Sequence, residues 1–168
     1  FSGNPCESLG SLCKLSSLWI DGNNFQGVVK EDDLANLTSL TDFGASGNNF
    51  TLKVGPNWIP NFQLTYLEVT SWQLGPSFPL WIQSQNQLQY VGLSNTGILD
   101  SIPTWFWEAH SQDKPMQLEF LNLASNNLSG EIPDCWINWP FLVEVNLQSN
   151  HFVGTSPHPW VPWLSCSH

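Results

Sequence analysis

The sequence predicts a curved solenoid in which short parallel β-strands line a concave face, while turns and 3-10 segments form the convex face. Three observations predict it. Apolar residues recur with one fixed internal spacing along most of the 168 residues. Each copy contains a strand-like alternation of apolar and outward residues, and an asparagine stands at a fixed offset after most of them.

The template is Leu15-x-x-Leu18-x-Ile20-x-x-Asn23-x-Phe25-x-Gly27. It recurs from Leu40 through Phe43, Ala45 and Asn48 to Phe50, and from Leu64 through Leu67, Val69 and Trp72 to Leu74. Three further copies begin at Leu88, Leu118 and Leu142, so the repeats make about six coils. The asparagine-equivalent positions 23, 48, 72, 96, 126 and 150 give steps of 25, 24, 24, 30 and 24 residues. That period is typical of leucine-rich repeats, about 20 to 29 residues each. Repeats are assigned to residues 1–154 and a Pro- and Trp-rich non-repeat tail to 155–168.

Alternation such as Leu18-Trp19-Ile20 places leucine-type side chains inward and the intervening residue outward on a short strand. After the strand the chain turns sharply, and an asparagine amide can satisfy backbone groups that would otherwise be buried unpaired. Asn23, Asn48, Asn126 and Asn150 are expected to form this interior ladder. Trp72 and Thr96 interrupt it. Threonine partly substitutes; tryptophan is expected only to fill a widened core. Asn95, one residue early, is the expected compensation in the fourth coil.

Composition narrows the function. Four Lys and Arg stand against 14 Asp and Glu, a formal net charge of −10, so nucleic acid and anionic membrane are disfavoured partners. The charged fraction is only 11%, and Asn, Ser, Gln and Gly supply most of the polarity. Apolar runs are too short for a membrane-spanning helix, and no basic-then-apolar leader opens the chain, which is expected to be either a mature soluble protein or a piece of a larger one. Three sequons, at Asn36, Asn49 and Asn127, are candidate glycosylation sites, and with four cysteines they point to secretion.

The fifth copy, Leu118-Glu-Phe-Leu-Asn-Leu-Ala-Ser-Asn-Asn-Leu-Ser-Gly-Glu-Ile-Pro133, resembles the plant-specific extracellular leucine-rich repeat ending in L-x-G-x-I-P, a tail repeated at Ile102-Pro103. From about Leu9 to Gly154 the chain is similar to the ectodomain of plant receptor-like proteins that perceive fungal elicitors. Polygalacturonase-inhibiting proteins and receptor kinases share this repeat. The resemblance implies a right-handed superhelix, a second short strand after Gly27, Gly130 and Gly154, and immune recognition as the role. It names no ligand, because the scaffold does not set the partner. Complete ectodomains have more coils, cysteine-paired caps and a membrane helix, so this chain reads as a fragment whose uncapped ends expose core edges. Family members also carry a cysteine upstream of Asp-Lys-Pro that would pair with the cysteine of Ile132-Pro-Asp-Cys135. It is absent here, which leaves Cys135 as a candidate free thiol and marks Gln112-Asp113 as a junction where coils are missing.

Cys6 and Cys13 are close enough in sequence to form a disulfide if the segment turns back; Cys135 with Cys166 is the weaker pairing. Only Cys166-Ser-His168 hints at a metal, and it is read instead as part of a disordered tail. His110, His151, His158 and His168 are scattered, and no catalytic triad order, H-E-x-x-H or phosphate loop is present. Asp32-Asp33 reads as a solvated helix start. No enzyme activity, cofactor or metal is expected.

The outward strand residues are the candidate ligand-binding surface. By register they form three columns: Ser17, Asp42, Tyr66, Tyr90, Phe120 and Glu144; Trp19, Gly44, Glu68, Gly92, Asn122 and Asn146; then Asp21, Ser46, Thr70, Ser94, Ala124 and Gln148. Clustered exposed aromatics are typical of interface hot spots, although in-register aromatics also stack simply to stabilise a sheet. The binding residues are taken as Trp19, Asp42, Tyr66, Glu68, Tyr90, Phe120, Asn122 and Glu144. The expected function is an extracellular, apoplastic or ectodomain module of plant immunity that binds a protein, peptide or glycan elicitor or a receptor-kinase co-receptor. Alternatives are an inhibitor of a secreted cell-wall glycosidase such as polygalacturonase, or a fragment without its own ligand.

Overall fold

The computed structural model describes residues 12–108, 117–132 and 139–153. Cys6, Cys135, Cys166, His110, His158, His168, the Gln112-Asp113 junction and the 155–168 tail lie outside the described residues.

Six three-residue strands stack in chain order into one parallel sheet: β1 (Ser17–Trp19), β3 (Asp42–Gly44), β5 (Tyr66–Glu68), β6 (Tyr90–Gly92), β7 (Phe120–Asn122) and β9 (Glu144–Asn146). Ser17 pairs with Asp42, Asp42 with Tyr66, Tyr66 with Tyr90, Tyr90 with Phe120, and Phe120 with Glu144. Each strand is centred on an inward residue such as Leu18, Phe43 or Leu67, and the chain turns within a few residues of it. Behind the sheet, Leu40, Leu64, Leu67, Leu88, Val91, Leu93, Leu118, Leu121 and Leu123 are buried. Every coil contributes the same inward positions, so one continuous apolar core runs along the solenoid.

A second set of strands forms on the flank: β2 (Gln26–Lys30) pairs with β4 (Asn49–Lys53), and β8 (Ser129–Glu131) with β10 (His151–Val153). These strands run through Gly27 and Gly130 rather than following them, which corrects the expectation at both, while Gly154 lies outside the described residues. At both glycines φ is positive, 143° and 96°, a backbone conformation that residues with a side chain rarely adopt. Between the two pairs the flank sheet is reduced to single bridges, Thr51 with Gln73 and Ser101 with Ser129. There Gly75 lies so close to the backbone of Gly97 that any Cβ would collide with its carbonyl.

The convex side carries 3-10 turns at Leu12–Lys14 and Leu80–Ser84, and short α-helical turns at Glu31–Leu34 and Thr104–Glu108. Asp32 and Asp33 sit in the first of these helical turns, where Asp33 accepts from the Lys30 amide. The second occupies the long thirty-residue step. Its Phe106 and Trp107 are buried, and both pack on Trp139 of the next coil, at ring separations of 5.4 and 5.5 Å. Gln85 adds a polar tie between convex turns, accepting from the Leu64 amide and donating to the Phe62 carbonyl.

Candidate functional site

The interior ladder ties successive coils together beneath the concave residues. Asn48, Asn126 and Asn150 make equivalent bonds. Each donates to a carbonyl three residues back in its own coil and to the matching carbonyl of the preceding coil, Ile20, Leu93 or Leu123, all at 2.8 Å. Each side-chain oxygen also accepts an amide of the preceding coil: Phe25, Ile98 and Leu128. Asn23 is exposed and, among the described residues, donates to the Ile20 and Asp21 carbonyls of its own coil.

Two expectations about the interruptions are corrected. Trp72 does bridge: its Nε1 donates to the Ala45 carbonyl at 2.8 Å, the same inter-coil acceptor position that asparagine reaches elsewhere. The indole is long enough to span the coils, so it fills the core and supplies the donor half of the ladder together. Asn95 does not compensate for Thr96; it is exposed and points to Ser71. Its role is conformational. The residue just before the ladder position has positive φ in every coil: Gly22, Gly47, Ser71, Asn95, Ser125 and Ser149, between 54° and 74°. Asparagine tolerates that left-handed geometry better than most residues with a side chain. Thr96 itself is fully buried; its hydroxyl donates to its own coil's Leu93 carbonyl, and its backbone amide donates to the Asn126 side-chain oxygen of the next coil.

On the concave side, Tyr66 and Tyr90 stack with ring centroids 4.4 Å apart and planes 15° apart. Trp19 joins at one end, 4.8 Å from Tyr66, and Phe120 at the other, 6.0 Å from Tyr90. The register explains the spacing, because in-register neighbours on parallel strands lie one strand separation apart. The second column explains the arrangement. A Cβ at Gly44 would meet the Trp19 ring, and one at Gly92 would meet the Glu68 carboxylate. Each glycine therefore opens a trough into which the preceding coil's large side chain folds. Trp19 lies across β3 to reach Tyr66, and Glu68 lies across β6 to accept from the Tyr90 hydroxyl at 3.0 Å.

The carboxylates are tied down by hydrogen bonds. Asp42 accepts from Ser17, Thr41 and Thr65; Asp21 accepts from both the amide and the hydroxyl of Ser46; Glu68 also accepts the Thr70 amide. Asn122 accepts the Ala124 amide, and Glu144 is exposed on β9, the end strand of the concave sheet. Burial, and then the Glu68 charge, push both tyrosine hydroxyls above their ordinary range, Tyr90 the further. Both phenols are therefore fixed as neutral groups at physiological pH. Trp19 is 53% exposed, whereas Tyr66, Tyr90 and Phe120 are half-buried. The eight expected binding residues thus share one surface: Trp19, Asp42, Tyr66, Glu68, Tyr90 and Phe120 lie in direct or relayed contact, Asn122 adjoins them, and Glu144 stands at the rim.

A second concavity, of about 640 Å³, lies on the flank where the second sheet is interrupted, lined by Leu52, Val54, Leu74, Pro76, Phe78 and Trp81 among others. No repeat position marks it, since it lies where the flank sheet is interrupted. Asn49 lies in β4, Asn127 just before β8, and Asn36 in the turn after Glu31–Leu34, all off the concave sheet. Cys13 is disulfide-bonded. Among the described residues no three His, Cys, Asp or Glu side chains gather as a metal site, and no helix is long and apolar enough to cross a membrane.

Comparison with known proteins agrees with this geometry. The family pattern described as Leucine Rich Repeat matches residues 117–139. Receptor-like protein EIX1 of Solanum lycopersicum is 40% identical over 109 residues, covering 65% of this chain and 10% of that protein. Its homologues are plant receptor-like proteins. Receptor-like protein EIX2 of the same organism is 36% identical over the same shares of both chains. This leucine-rich repeat chain spans about a tenth of the length of both relatives. Among solved structures, the ectodomain of the Arabidopsis receptor kinase HAESA, determined with a peptide hormone ligand, superposes with a TM-score of 0.63. That match has 27% identity over 85% of this chain and 23% of the receptor chain. The fold is a leucine-rich repeat solenoid of the kind found in such ectodomains. The matched pattern and relatives belong to no catalytic family.

Proposed function

We propose that this leucine-rich repeat chain is an extracellular protein-binding module of plant immune recognition that engages an elicitor or co-receptor through its concave face. The observation that carries the reading is the continuous aromatic strip Trp19–Tyr66–Tyr90–Phe120, part-exposed and locked in place on the sheet. A rigid aromatic surface binds at low entropic cost, because its side chains are already ordered before the partner arrives. The HAESA ectodomain, with its peptide hormone, supports the class of ligand. The receptor-like relatives support an apoplastic or plasma-membrane ectodomain setting. Glycans at Asn36, Asn49 and Asn127 would leave the strip clear.

The test is affinity capture from apoplastic fluid and from fungal culture filtrate, comparing wild type with Tyr66→Ala/Tyr90→Ala. Loss of the captured protein with an unchanged circular dichroism spectrum is expected; equal capture by both forms overturns the reading. Recovery of a secreted glycosidase that depends on the two tyrosines would assign inhibition rather than perception.

A further inference from the structure

We propose that the group seated on the strip is cationic, a Lys or Arg side chain of an extended polypeptide partner. This rests on the concave-face reading above and sharpens it. None of the three outward columns contains Lys, Arg or His, whereas Asp21, Asp42, Glu68 and Glu144 stand among them. The acids converge on the aromatics. The Trp19 ring and the Asp21 carboxylate both lie over Gly44, and the charges of Glu68 and Asp21 both act on the Tyr66 hydroxyl.

The hydrogen bonds that hold these carboxylates come from hydroxyls and amides, which fix their direction without cancelling their charge. A cation arriving over the half-exposed indole of Trp19 would therefore meet the negative face of the ring and at least one oriented carboxylate beside it. The rings already stack on one another, so the free aromatic surface is at the Trp19 end, where Asp21 lies. An acidic or uncharged partner would leave the carboxylates without a counter-charge as water is displaced, which costs binding energy.

Selection of a displayed library of random linear peptides against the whole chain tests this. Selected peptides should be enriched in Lys and Arg over the starting library. Their affinity should fall at least tenfold in Tyr66→Ala/Tyr90→Ala and at least tenfold in Asp21→Asn/Glu68→Gln, and should weaken steadily between about 0.05 and 0.5 M salt. Asn retains the oxygen that accepts from Ser46, and the Tyr90 hydroxyl can accept from the new Gln amide, so the second pair removes charge while the strip stays in place. Peptides that require both tyrosines but carry no excess of cations and ignore the charge variants overturn this proposal and leave the concave-face reading standing. A selection that yields no tyrosine-dependent peptide overturns both.

Discussion

Trp72 offers a counter-intuitive perturbation, because restoring the repeat's usual asparagine there should weaken the protein. The indole is 2% exposed, meets Phe43 edge-on at 5.7 Å and Phe50 at 4.9 Å, and donates to Ala45. Trp72→Asn keeps a donor for that carbonyl, a bond contributing about 1 kcal/mol. It also empties a buried aromatic site, a change that costs about 3–5 kcal/mol in well-packed cores. The net loss should be about 2–4 kcal/mol, or roughly 5–15 °C in Tm for a domain of this size. Trp72→Phe keeps most of the ring, losing the bond and roughly 40 Å³ of volume, for a total of about 2 kcal/mol. Urea unfolding followed by far-ultraviolet circular dichroism, with matched m-values, should rank wild type above Phe and Phe at or above Asn. A Trp72→Asn variant as stable as wild type would refute the reasoning, since the hydrogen bond would then be all that the position provides.

Other expectations follow from the same geometry. The chain has two tyrosines, so phenolate absorbance reports Tyr66 and Tyr90 alone; both should titrate above pH 10 in the folded protein and return to about 10 in concentrated urea. Because their folded pKa values are raised, this contribution to stability is fully present below pH 10 and is lost as pH rises beyond it, so the urea midpoint should fall through that window. Gly92→Leu should displace Glu68 from Tyr90, leaving the Tm within a few degrees while lowering partner affinity measured by calorimetry. Gly75→Ala should destabilise by about 2 kcal/mol or more, because the obstructing group is the Gly97 backbone, which has no rotamer to yield; thermal unfolding reads it directly. Gly47→Ala, at φ 68°, should cost about 1–2 kcal/mol, whereas Ser125→Gly should be neutral or slightly stabilising in the same assay.

Much of this architecture was legible because repeats translate register into neighbourhood. Once Leu67 and Val91 are recognised as equivalent, Tyr66 must lie beside Tyr90, and the first two outward columns appear in the sheet in the order the repeats set out, while the third follows just beyond the strand ends. What was not legible depended on shape. A template that marks position 72 as an exception cannot show that an indole reaches the neighbouring carbonyl. The left-handed residue before the ladder was visible as Gly, Gly, Ser, Asn, Ser, Ser at one offset, yet the pattern carries meaning only with φ in hand. The flank cleft and the seat of Trp105-Phe106-Trp107 arise where coils diverge, and divergence breaks the equivalence on which repeat reasoning depends. The troughs over Gly44 and Gly92 are an intermediate case. The glycines stood in the columns, but their large neighbours' decision to fold across them is a matter of packing.

The central claim, that the concave aromatic strip is the recognition surface, is tested most directly by calorimetric titration of a captured partner into three proteins: wild type, Tyr66→Ala/Tyr90→Ala, and Leu80→Ser on the flank cleft. A hot-spot side chain contributes about 2 kcal/mol or more, so loss of even one such contact makes the concave variant bind at least roughly 30-fold more weakly, while Leu80→Ser matches wild type. Undiminished affinity in the concave variant, with loss in Leu80→Ser, would place recognition on the flank and contradict the account.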